Sequence, residues 1–150
     1  MKYQEGKIGR VYILKFDNGD DFKSEITHFC EEKDIKAGQI QFLGAIKKSN
    51  VVVGPQKSVI PPKPVWKDFD EAHEVVGYGT IAWGNDKPVV HLHTVFSRKD
   101  KAFIGCIRNM AEVYLIIEAV IIELADVDIK REIDQDLGVT VLRLNDNSNA

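Results

Sequence analysis

The apolar side chains of this chain keep a period of two over most of its length and leave it once, near the start. Segment 10–16 (RVYILKF) is β-branched and aromatic and predicts a strand, which stops at Asp17-Asn18-Gly19-Asp20, a cluster of turn formers. Beyond that turn Phe22, Ile26, Phe29 and Cys30 fall at i, i+4, i+7 and i+8, the spacing of one helix face. Asp20 and Asp21 are expected in the first turn of that helix, where the dipole favours acids, with Gly38 past its end.

Strand character then resumes. Segments 39–43 and 49–53 read as strands flanking Gly44-Ala45, and the three prolines of 55–64 confine that stretch to an edge or a loop. Segments 75–83 (VVGYGTIAW) and 89–97 (VVHLHTVFS), joined by Gly84-Asn85-Asp86, predict an antiparallel hairpin in which Gly77 and Gly79 mark a bend or a close backbone approach. After a charged loop at 98–101 come 103–107 and then 114–124 (YLIIEAVIIEL), apolar on both alternating faces as in a strand covered on both sides. The charged stretch 126–136 is expected to be irregular, 138–144 closes with one more strand, and 145–150 should fray. The sum is an α+β fold, a mostly antiparallel sheet packed with one or two helices.

Composition narrows the function classes. The chain has 150 residues with 44% hydrophobic and 29% charged side chains, which suits a single domain over 1–150 with a core of its own. A net charge of −3 gives no field of one sign and argues against a basic nucleic-acid groove over the whole molecule. The N-terminal MKYQEGKIGR lacks the apolar core of a signal peptide, and no apolar run is long enough to span a bilayer, so a cytoplasmic location is expected. Two cysteines, Cys30 and Cys106, exclude a disulfide scaffold.

The candidate chemistry lies in His91-Leu92-His93. On a strand, His91 and His93 share one face, about 6–7 Å apart along the chain, and can chelate one divalent ion. Cys106, on the segment that follows the 98–101 loop, offers a third donor, and imidazole with thiolate suits zinc. From spacing alone, two polar residues on a wet strand face and a small core cysteine explain the pattern equally simply. Cys30 belongs to the helix core, and His28 and His73 read as solvated. Glu118, an acid within an apolar strand, is either a buried carboxylate that is paired, protonated or near a metal, or a residue at a wet sheet edge or subunit boundary. Phosphate-loop, nucleophile-elbow and paired-cysteine motifs are absent, and the basic groups Lys47, Lys48, Arg98, Lys99 and Lys101 are scattered.

Over about 9–144 the chain resembles the plants-and-prokaryotes conserved, or PPC, domain family. The resemblance rests on Asn18-Gly19-Asp20-Asp21, Phe29-Cys30 with Ile35-Lys36-Ala37-Gly38, Phe42-Leu43-Gly44-Ala45-Ile46 and Gly79-Thr80-Ile81. It rests above all on Pro88-Val89-Val90-His91-Leu92-His93, Gly105-Cys106-Ile107 and Glu118, with Arg131, Asp134 and Gly138 in the closing segment. It implies a homotrimer of single α+β domains and a metal site of His91, His93 and Cys106, where Cys106 replaces a histidine of the family's Gly-Gly-His-Leu segment. Gly105 and Glu118 would stand in its second shell, and a small molecule or anion would take any open position. The fold is also reminiscent of α-acetolactate decarboxylase, a zinc enzyme, so a metal-dependent lyase or hydrolase is one alternative. A DNA-binding regulator, the other alternative, lacks the Arg-Gly-Arg-Pro hook of plant members, and no duplex binding tighter than about 10 µM is expected at physiological salt.

Overall fold

The structure is a computed structural model and describes residues 1–145, so that of the segment expected to fray only Asn145 is included and 146–150 lie outside the described residues. Eight strands and one helix follow in the order β1 (Lys7–Asp17), α1 (Phe22–Glu32), β2 (Ala37–Pro55), β3 (Pro64–Phe69), β4 (His73–Trp83), β5 (Pro88–Arg98), β6 (Lys101–Ala125), β7 (Ile129–Asp134) and β8 (Val139–Leu144) among the described residues. All form one sheet, and every strand pair but the short β4–β7 contact is antiparallel. The pairings β2–β4, β4–β5, β5–β6 and β6–β2 close on themselves, which leaves these four strands without a free edge.

The helix forms where its period predicts. Phe22, Ile26 and Cys30 are fully buried, and each large apolar side chain so removed from water contributes about 1.5–3 kcal/mol. Phe22 packs edge-on against Phe16 with ring centroids 4.9 Å apart and tilts against Phe42 at 4.7 Å, which fastens α1 to β1 and β2. Asp20 and Asp21 do not lie in the first turn as expected. Asp21 is the N-cap, and its carboxylate is turned away to accept from Ala111 N–H at 3.0 Å and Ser24 Oγ at 2.9 Å. Gly38 lies inside β2, and the chain leaves the helix through Asp34 at φ 52°.

The two longest strands are each longer than the sequence predicts. Segments 39–43 and 49–53 are parts of the 19-residue β2, and 103–107 and 114–124 are parts of the 25-residue β6. Both continue through register shifts rather than turns. At one shift Gly44 takes φ 141°, and a Cβ there would meet Ile116 O at 2.2 Å, so only glycine fits. Gly77 and Gly79 are close-approach positions, filled by the Phe42 ring and the Leu92 side chain of the neighbouring strands.

The stretch 126–136 corrects the irregular segment expected there. Its Ile129–Asp134 portion is β7, paired residue by residue with β8. Lys130, Glu132 and Asp134 alternate along one face of a hairpin that lies beside β4, whereas Arg131 on the other face is buried. The tip of this hairpin reaches the proline-rich β2–β3 connection, where a Cβ on Gly138 would stand 2.6 Å from Pro61 Cβ. No helix of the described residues is long and apolar enough to cross a membrane.

Candidate metal centre

β5 divides its side chains between two environments. Leu92, Thr94 and Phe96 face the core and are buried, while His91 and His93 project from the opposite face. Antiparallel register sets Thr80 of β4 opposite His91, Tyr78 of β4 opposite His93, and Cys106 of β6 opposite His93 on the other side. Directly opposed residues in a ladder share a face, so the adjacent strands β5 and β6 deliver two imidazoles and a thiol to one spot.

The His91 Nε2 and His93 Nε2 atoms lie 3.2 Å apart with the rings edge-on, 4.9 Å between centroids. The donor atoms of His91, His93 and Cys106 all lie within 4.8 Å of one another. Cys106 is only 3% exposed, His91 is half-buried and His93 is open to solvent. Gly105, beside Cys106, is buried because Val51 of β2 occupies the space a Cβ would need. Its role is to let β6 approach β2, which sets the depth of the thiol.

The electrostatics of the spot are cationic. Burial lowers His91 to about 4, assisted by the charges of Arg131, His93, Arg108 and Lys23, and burial with Arg108 also lowers His93. Both imidazoles are therefore neutral at pH 7, with a ring nitrogen lone pair to offer. Burial raises the Cys106 thiol, although Arg108, Lys23 and Arg131 oppose it, so a metal ion would displace its proton. No carboxylate is among the charges bearing on the three residues.

A two-imidazole, one-thiol donor set converging at this distance fits a borderline ion such as zinc with one position left open. Such an ion would polarise a bound oxygen or activate a water. The chain's own part is to fix two neutral donors on one strand and to keep the thiol out of solvent.

Glu118 does not join the cluster. It is an exposed residue of β6, opposite Lys15 of β1 and Leu43 of β2, which removes the buried-carboxylate reading. It lies instead with His93 along a shallow apolar groove between Ile13, Leu43, Val76, Tyr78 and Ile104. Cys30 is sealed in the core and its thiol is pushed up to about 12 by burial. His73 is not simply solvated, since its ring packs on Phe69 at 4.5 Å and its Nδ1 meets Glu71 O at 2.6 Å.

Three residues of the site escape a motif search. Arg108 follows Cys106 by two positions on β6, so strand period alone places it on the same face. Lys23, on α1, donates to the Arg108 carbonyl and is half-buried. Arg131, on β7, donates from Nη2 to Thr80 Oγ1 at 2.6 Å.

Comparison with known proteins agrees with this architecture. The metal-containing protein of Archaeoglobus fulgidus superposes with a TM-score of 0.83 at 26% identity, covering 94% of this chain and 98% of that one. A plant- and prokaryote-conserved (PPC) protein of Pyrococcus horikoshii gives 0.84 at 19% identity, covering 97% of this chain and 99% of that one. A candidate DNA-binding protein of Bacteroides thetaiotaomicron gives 0.78 at 26% identity, covering 93% and 97%. No curated protein matches the chain. The profile of the Plants and Prokaryotes Conserved (PCC) domain matches residues 3–125, and on that match the chain belongs to the PCC domain family.

Proposed function

We propose that this chain is a divalent-metal-binding protein in which His91, His93 and Cys106 hold one ion, zinc by the chemistry of the donors, with an open position for a small ligand. The observation that supports it is the convergence of two neutral imidazoles and a thiol within 4.8 Å on the outward face of β5 and β6. The likeness to the metal-containing Archaeoglobus protein points the same way. Protein purified without a tag or chelator should carry, or take up on titration, one zinc per chain by elemental analysis. His93→Ala and Cys106→Ala should each lower zinc affinity at least 100-fold. Failure of the wild-type chain to take up any divalent metal overturns the reading.

A DNA-binding role, which the Bacteroides neighbour's name carries, has less support. Arg98 is engaged by Glu71 at 2.7 Å, and Lys47 pairs with Glu112, so part of the small basic inventory is already neutralised. A duplex needs several free cations, and its binding falls steeply with salt. Saturable, sequence-selective anisotropy with an AT-rich duplex at physiological salt would reinstate it.

We also infer a homotrimer. Ile13, Leu43, Val76 and Ile104 are 77%, 56%, 60% and 61% exposed on one side of the sheet. A contiguous apolar face of this kind is normally covered by another protein surface. Light scattering at micromolar concentration should give three times the 16.9 kDa chain mass.

A further inference from the structure

Arg131 stands out in this molecule. It is 8% exposed, its Nη2 bonds Thr80, and its Nε is buried without a partner. No carboxylate of the described residues pairs with it, and the Cys106 thiol is the only titratable group whose charge favours its cationic form. A guanidinium withdrawn from water costs stability unless an anion meets it. Thr80, which holds Arg131, is the register partner of His91, so the uncompensated charge lies beside the donor cluster on the β4 side.

On the other side of the cluster Cys106 and Arg108 open into a cleft of about 660 Å³. Its remaining walls are mostly apolar, with Val52, Pro62, Trp66 and Ile133 prominent. They come from β2, β3 and their connection and from the β7–β8 hairpin, which touch at Pro61 and Gly138. A cationic end and apolar walls define the complement of an amphipathic anion, and the size is that of a small-molecule site.

We propose that this cleft binds a small organic acid, with its carboxylate at His93 and Cys106 beside Arg108, in the field of Arg131 across the donor cluster, and its apolar body against Trp66, Val52 and Ile133. The proposal rests on the metal-centre reading for the carboxylate's neighbour, while its counter-charge is supplied by the arginines. A metal at the cluster would leave an open position beside the same carboxylate. Arginine is suited to the task because its fork keeps its charge when desolvated.

Calorimetric titration of the metal-free and zinc-loaded chain with acetate, butyrate and hexanoate, and with uncharged hexanamide, tests it. Affinity should rise about fourfold for each methylene buried, and hexanamide should bind at least tenfold more weakly than hexanoate. Arg131→Gln and Arg108→Gln should each weaken hexanoate at least fivefold. Arg108 is exposed, so its variant keeps the test decisive if the Arg131 variant fails to fold. Hexanamide binding as tightly as hexanoate, inorganic phosphate outcompeting every acid, or both variants binding like wild type would overturn the proposal. Zinc uptake without acid binding overturns this proposal and leaves the metal centre standing. Acid binding without zinc uptake supports it and removes the metal centre.

Discussion

The two faces of β5 share one backbone and differ in nearly everything else. The core face places Leu92, Thr94 and Phe96 where little or no solvent reaches them, with Phe96 stacked on Phe103 at 5.0 Å. The outward face presents His93 to both a cleft and an apolar groove and Val95 to the groove, with the half-buried His91 packed beside His93. One residue of register would exchange the two sets, so the packing of Leu92 into the space left by Gly79 also fixes where the imidazoles point. The site's precision is therefore inherited from the core, whereas its chemistry contributes little to holding the fold.

That contrast can be broken by substitution. Leu92→Ala should produce the largest effect, a loss of about 2–5 kcal/mol in denaturant unfolding, because a buried side chain of this size leaves a cavity when removed. A smaller loss of stability than that of His93→Ala would refute the division of labour. Ile104→Glu should come next: it should leave the far-ultraviolet spectrum unchanged and reduce the mass in light scattering from trimer to chain. His93→Ala should follow with a change in stability of under about 1 kcal/mol, as for a solvent-facing position, despite its large effect on metal.

The smallest effect concerns the hairpin that walls the cleft. Asp134 accepts backbone N–H bonds from Leu137 at 2.9 Å and Asp136 at 3.1 Å and pairs with Arg143 at 2.8 Å. The Leu137 bond leads in holding its carboxyl below its ordinary 3.8. A lowered folded value means the contribution is complete above about 3.8 and fades as pH falls through that lower value. Amide exchange in β7 and β8 should therefore quicken below pH 4 while β5 stays protected, and Asp134→Ala should show the same pattern at neutral pH.

Much of this was legible before any coordinates. The alternation Val90-His91-Leu92-His93 within 89–97 marks the buried and outward faces of β5, and the shared face of His91 and His93 follows from that period. The long strands were less legible. β2 and β6 run through bulges at Gly44 and near Leu115, which takes φ 60°, and a bulge breaks the very alternation by which a strand is recognised. β3 and β7 are short and charged, features that edge strands share with loops. Arg131 was opaque as a buried counter-charge because its neighbours Lys130 and Glu132 read as solvated surface. Its burial exists only once β7 lies beside β4, a relation no local pattern encodes.

β6 also bears on how the molecule is made. It pairs with β1 through Lys7↔Ala125, with β2 along most of its length and with β5 through Arg98↔Lys101. β1 therefore has no strand partner until residues 116–125 of β6 have been made. Such distant pairings are slow to close. A nascent chain halted near residue 112 would present β1 and the N-terminal half of β2 without their β6 partners. During synthesis, the apolar residues of β1 thus stay unpaired until β6 makes them part of a fold.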